Sequence, residues 1–360
     1  MKRCNPIVVI LVLAVALVGC VVVAISLGAV AIPFSEVARM LIARLPGVSL
    51  PPSWSDTSIL RRAQDTAGLS ISQAEAIIFQ IRLPRVVTAV VVGGALAAAG
   101  AVFQGLLRNP MADPYIIGTS GGAALGATIA LLLPIQVVWL GFTLVPLAAF
   151  AGALVTVLVV YNIARVGPRT PVTTLLLAGF AFSSMLAAVM SFLMLISGHT
   201  LRRVVLWTMG GVTASSWPQL RIVVPLIVAG VIAAYTLAND LNAFLLGEEQ
   251  AAYLGVNVER RKLVLLMLGS LLTGAAVSVS GLVGFIGLVV PHVARLIFGP
   301  DHRLLLPAST LMGSLFLVLA DLVARLLLAP AEIPVGIITA MIGAPFFIYL
   351  LRRSKREYVF

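Results

Sequence analysis

An all-α membrane protein with about ten transmembrane helices is the fold class the sequence predicts, and three observations carry it. The 360 residues are 61% hydrophobic and 10% charged, with a mean hydropathy of +1.12, which leaves too few charges to cover a soluble globule. The apolar residues gather in runs long enough, at about 1.5 Å per helical residue, to cross a hydrocarbon core of about 30 Å. Between the runs lie Gly, Pro and clustered charge, which end helices at a membrane surface. The net charge of +11 comes from Arg and Lys at the ends of runs, not along one stripe or beside stacking aromatics. That distribution points to a lipid bilayer as the partner and away from nucleic acid.

The first run, Pro6 to Ile32, follows Lys2-Arg3 and is read as an uncleaved span. Leu17-Val-Gly-Cys20 imitates a lipoprotein cleavage site, but the apolar run continues past it, where a cleaved signal ends. Cys4 and Cys20 are the only cysteines, so neither a disulfide framework nor a cysteine metal site is expected. A long outer loop over 33–76 holds Ser53-Trp-Ser-Asp-Thr-Ser58 with Arg61, Arg62 and Asp65, and is expected to form a surface helix or a mobile flap. Further spans are placed near 83–107, 115–134, 137–161, 172–196, 221–238, 263–280, 282–298, 304–328 and 334–351, giving one transmembrane domain over 1–360. Leu201 to Gly210, with Trp217-Pro218 beyond it, reads as a short interfacial helix. An even number of spans returns both termini to one side, and Lys2-Arg3 with Arg352-Arg353-Ser-Lys-Arg356 puts that side in the cytoplasm.

Residues 239–262 mix charge with apolar positions at helical spacing. Leu241, Phe244 and Leu245 give a first short helix an apolar face, Gly247 breaks it, Glu248 and Glu249 suit the positive end of a second, and Gly255 ends that one in a left-handed conformation. The result is a helix-Gly-helix knob outside the bilayer; the alternative is a loop resting on the lipid surface.

Side-chain chemistry is sparse. There is no Gly-Lys-Ser or Gly-Lys-Thr, and the lysines stand at 2, 262 and 355, so any nucleotide belongs to another chain. His199, His292 and His302 are far apart, and no zinc or nucleophile-elbow motif occurs, so no catalytic or metal site is expected. His292 is expected to donate to a backbone carbonyl. Asp321 and Arg325, four apart, are expected to pair. Gly93, Ala97, Ala101 and Gly105 on one span, and Gly179, Ser183, Ala187 and Ser191 on another, form small-residue stripes that let helices approach closely. Gly336, Gly343 and Pro345 suit the last span to a bend.

Ser270 to Arg295, running through Ser278-Val-Ser-Gly-Leu-Val-Gly-Phe-Ile-Gly287 and Pro291-His292, resembles the permease subunits of ATP-driven importers for ferric siderophores, haem and cobalamin. The likeness extends through Arg82-Leu-Pro-Arg85, Asn109-Pro-Met-Ala-Asp-Pro114, Leu175-Leu-Leu-Ala-Gly179, Ile333-Pro-Val-Gly336 and Gly343-Ala-Pro345. The resemblance implies a type II ABC importer permease fold in the cell inner membrane. It implies a homodimer with two cytoplasmic ATPase subunits that carry ATP and Mg, and a periplasmic substrate-binding protein, with no cofactor on this chain. The positions matching the family's ATPase contact are Leu245, Gly247, Glu248, Ala251, Leu254 and Gly255; Arg82, Arg85 and Arg325 match arginines that receive acidic residues of the binding protein, with snorkelling to lipid phosphate as the alternative. Asn109, Met111, Val172 and Thr173 match a cytoplasmic gate, with turn and cap chemistry as the alternative, and Val172-Thr173 departs from the more polar pair of some cobalamin permeases. Gly179, Ser183, Ala187, Gly336 and Gly343 match pathway-lining positions, with helix packing as the alternative. An ion-coupled secondary transporter is the competing function, but it calls for charged or unwound elements at mid-membrane that the sequence does not supply. A third reading, a membrane scaffold without transport, is separated by a transport assay.

Overall fold

The computed structural model describes residues 5–28, 32–44, 71–135, 138–139 and 141–355. Ser53 to Ser58, Arg61, Arg62, Asp65, Cys4 and Lys2-Arg3 fall outside the described residues.

Helix α1 (Pro6–Ser26) starts where Pro6 supplies a preset φ at N1 and the Asn5 side chain accepts the Ile7 amide at 3.1 Å. It ends at Ser26, short of the sequence reading. A short helix α2 (Phe34–Ala43) covers part of the long loop, as expected. The next span is longer than expected: α3 (Ile71–Ala76), a π-helical turn (Ile77–Arg82) and α4 (Leu83–Leu106) run on as one helical rod. Pro84 falls in the first turn of α4, where its missing N–H and fixed φ are tolerated. Then come α5 (Thr119–Leu132), a two-residue hairpin of β1 (Val138–Trp139) and β2 (Phe142–Thr143), α6 (Leu144–Ala164) and α7 (Val172–Ile196). The short helix α8 (Leu201–Thr208) precedes α9 (Trp217–Thr236). The knob follows as α10 (Ala238–Leu245) and α11 (Glu248–Tyr253), and the chain closes with α12 (Val258–Ser280), α13 (Ile286–Phe298), α14 (His302–Leu326) and α15 (Val335–Lys355). Seven of the described helices are long and apolar enough to cross a membrane, and α5, α13 and α15 are shorter apolar helices at the other expected spans.

The bundle is built round α4, which packs most extensively on α14 and α12 and also meets α13 and α9. Its small residues explain this. A Cβ on Gly93 would collide with the carbonyl oxygen of Gly313, and one on Gly100 with that of Gly287. Without side chains at these points the backbones of α4, α14 and α13 approach closely enough for Cα–H and dispersion contacts to hold them in lipid, where hydrophobic burial gives little drive. The α4 stripe is therefore a packing surface, as the sequence reading has it.

Candidate functional site

The knob has the expected breaks. Gly247 stands at φ 116° between α10 and α11, and Gly255 ends α11 at φ 84°, both backbone regions that favour glycine. Leu241 and Phe244 anchor α10 in the core, and Ala251 is buried beneath α11. Beside the exposed Glu249 and Gln250, large apolar side chains also stand outside: Leu246, Tyr253 and Leu254 are 63%, 91% and 65% exposed, and Leu245 is partly exposed. Three large apolar side chains on a charged segment at one end of the bundle form a contact surface in search of a partner. Leu246 and Tyr253 were not singled out from the sequence; the signal was their place beside the two glycine breaks. Glu248 points inward to Lys262, 3.0 Å away. Beside the knob lies a cavity of about 710 Å³ lined by Arg108, Arg169, Gly247, Glu249, Gln250 and Glu259.

The expected gate residues lie at the same end. Asn109 Oδ1 accepts the Met111 amide at 2.9 Å, an Asx turn just after α4. Val172 and Thr173 open α7; Pro171, not Thr173, is its N-cap, and it makes no side-chain bond. Turn chemistry thus accounts for Asn109, and cap chemistry does not account for Thr173.

Three of the five positions expected to line the pathway stand close against other parts of this chain. Gly179 is buried, and a Cβ there would stand 2.8 Å from the Ile116 carbonyl oxygen. Gly343 is buried against Phe285, and Gly336 lies against the Met209 carbonyl, so these three glycines serve close approach within the chain. Ser183 is half-buried, with its hydroxyl donating to the Gly179 carbonyl at 2.6 Å, and Ala187 is exposed. The open faces of the two helices also carry large apolar residues: Leu177, Phe180 and Phe192 on α7, and Met341, Ile348 and Tyr349 on α15.

The three arginines expected to receive acidic residues of a binding protein are buried, at 6% (Arg82), 7% (Arg85) and 7% (Arg325) exposure. They sit at the end of the bundle opposite the knob. Arg85 donates to Asp321 Oδ1 at 2.9 Å and to Glu332 Oε1 at 2.8 Å. Arg325 Nε lies 3.1 Å from Asp321 Oδ2, the expected pair, and its Nη2 donates to the Ala24 carbonyl at 3.0 Å. Arg82 Nη1 donates to the Ile25 and Ser26 carbonyls at 2.7 and 3.1 Å. The last carbonyls of α1 have no partners within their own helix, and two guanidinium groups from elsewhere in the chain supply them, with the charge sign the helix end favours. Burial follows because two carboxylates and four carbonyls, the fourth being that of Leu27 at 3.3 Å from Arg325 Nη1, are there to receive the donors. Glu332, with a side chain 41% exposed, is the open edge of this network. It also lines a cavity of about 590 Å³ together with Arg203, Trp207, Gln219, Ser280 and Val335.

No cluster of His, Cys, Asp and Glu able to hold a metal ion occurs among the described residues.

Comparison with known proteins follows the same lines. The model of the FecCD transport family matches residues 12–353. The chain is 47% identical over 327 residues to the cobalamin import system permease protein BtuC of Halobacterium salinarum, covering 91% of this chain and 87% of that protein. It is 44% identical over 286 residues to the hemin transport system permease protein HmuU of Yersinia pestis, covering 77% of this chain and 83% of that one. Among solved structures, one of a metal-chelate type ABC transporter in an inward-facing conformation matches with a TM-score of 0.78 at 29% identity, covering 96% of this chain and 99% of the other.

Proposed function

The chain belongs to the FecCD transport family, and from its multi-pass permease fold we propose that it carries a bulky metal chelate of the cobalamin, haem or ferric siderophore class inward across the cell inner membrane. The relatives named for cobalamin and for haem are similarly close, which supports the class and leaves its member open.

The observation that carries the reading is the knob: Leu246, Tyr253 and Leu254 stand exposed on a structured segment between two spans. An ATPase shifts the spans only through a contact with differential energy in its two states, and this surface supplies one. Two ATPase subunits, carrying ATP and Mg, would dock here, which makes the knob end cytoplasmic along with both termini. The apolar faces of α7 and α15, left open in the single chain, suit a second copy, with the pathway between the two. A periplasmic binding protein would meet the opposite end. Since Arg82, Arg85 and Arg325 are already engaged, an acidic residue of that protein would reach Arg85 by taking the place of Glu332, the half-exposed member of the network.

The test is uptake into proteoliposomes holding the permease, the ATPase and the binding protein, with labelled cobalamin, haem and a ferric siderophore offered in turn. ATP-dependent accumulation of one of them is expected. Uptake driven by an ion gradient in the absence of ATP would overturn the proposal in favour of a secondary transporter.

A further inference from the structure

We propose that Lys262 is a positioning residue that ties the knob to the start of α7, so that a displacement of α11 reaches that helix; this rests on the reading of the knob as the ATPase contact. A lysine in the first turns of a helix at a membrane surface ordinarily extends its ammonium to water or lipid phosphate. Lys262 is instead 2% exposed, while Arg261 beside it reaches Asp240 on α10 at 3.1 Å.

The three donors of the ammonium have three acceptors, one from each of three segments. Nζ lies 3.0 Å from Glu248 at the start of α11, 3.3 Å from Glu259 in the first turn of α12, and 2.9 Å from the carbonyl oxygen of Thr170. Glu259 uses its other oxygen to accept the Thr170 amide at 3.1 Å. Both backbone polar groups of Thr170 are therefore held by the Lys262 and Glu259 pair. Thr170 is buried and immediately precedes Pro171, the N-cap of α7. On its other side the chain is fixed by the Val166–Arg169 bridge.

A buried charge of this kind is a weak source of stability, because its desolvation offsets much of its attraction, but it fixes which groups lie together. Here they are the contact helix and the root of α7. Within the single chain little packing sets the position of that helix: only 11% of its membrane-length window is buried, the same share as for α1. Its hydrogen-bonded root then has a large share in setting where it lies.

The experiment measures substrate taken up per ATP hydrolysed by the full complex in proteoliposomes, for Lys262→Met, Glu259→Gln and the double variant. Lys262→Met is expected to assemble with the ATPase and hydrolyse ATP while uptake per ATP falls roughly ten-fold. Glu259→Gln should give a smaller fall, and the double variant no more than Lys262→Met alone, the signature of residues acting through one contact. A normal ratio in Lys262→Met overturns the tie. Should Lys262→Met fail to insert, Glu259→Gln decides, and an unchanged ratio there overturns it equally. Leu254→Asp serves as the separate control for the knob reading: normal ATPase assembly together with normal ATP-driven uptake in it removes that reading, whereas assembly or uptake lost in it and a normal ratio in Lys262→Met removes the tie alone.

Discussion

Arg85 and Asp321, which are 236 positions apart in the chain, meet side-on at the end of the bundle away from the knob, with Nε and Nη2 of the guanidinium donating to the carboxylate at 3.0 and 2.9 Å. Asp321 is 1% exposed and also faces Arg325. Removing its charge strands two buried guanidinium groups. Asp321→Asn is therefore expected to lower stability by about 3–5 kcal/mol, the range for breaking a buried ion pair from one side. Glu332→Gln, at a carboxylate open to solvent, should cost under about 1 kcal/mol. Thermal unfolding of the purified protein in detergent compares the two, and equal midpoints would show that Asp321 holds nothing the amide cannot.

The α4 glycines separate two kinds of position. Gly100→Ala places a methyl against the Gly287 carbonyl between two helix backbones, where neither side yields without parting α4 from α13. Overpacking of this kind costs about 1–3 kcal/mol and should show as a lowered unfolding midpoint. Gly19 in α1 has nothing within 4 Å of the place a methyl would take, so Gly19→Ala should be neutral or raise stability by about 0.5–1 kcal/mol through helix propensity. A Gly100→Ala protein as stable as wild type would mean the helices are less closely held than they stand here.

Most of this fold was legible in the sequence because lipid leaves few alternatives to a helix, and runs bounded by Gly, Pro and charge mark where each begins. The glycine breaks at 247 and 255 were legible for the same local reason, as was the Asp321 and Arg325 pair, one turn apart. The partners of Arg82 and Arg85 were not. They are carbonyls of α1 and carboxylates more than two hundred positions away, and an arginine at the end of a run looks alike whether it caps a distant helix or faces water. Gly179 and Gly343 are read no more easily, since a small residue leaves room for a pathway or for a neighbouring backbone, and the sequence does not say which.

The knob carries its own prediction. Leu254 is 65% exposed and touches no core, so Leu254→Asp should leave the fold and membrane insertion intact. In an apolar contact with the ATPase the new carboxylate would be buried without a partner, which is costly. Co-purification with the ATPase should fall or ATP-driven uptake should be lost. Tyr253→Asp, at the most exposed large side chain of the knob, should act alike. Normal assembly and uptake in both would take the ATPase contact elsewhere.

Glu332 tests how the opposite end would receive an acidic partner. In the single chain, Arg85 Nη1 is satisfied by Glu332 at 2.8 Å, so an incoming carboxylate gains that donor only by displacing the internal one. The internal carboxylate has the advantage of being tethered, but its own side chain is 41% exposed and regains water on release, so the exchange is close to balanced. Glu332→Gln weakens the internal competitor and removes a negative charge from the docking face. It should raise affinity for the binding protein severalfold and quicken association at low salt, the gain shrinking as ionic strength rises. Arg85→Gln in the same background should cancel the gain. Affinity measured on the membrane-inserted complex decides the matter: no change on Glu332→Gln would mean that Arg85 keeps to its internal partners and that docking rests on other groups, of which the exposed Arg202 and Arg203 on α8 are the next to reverse.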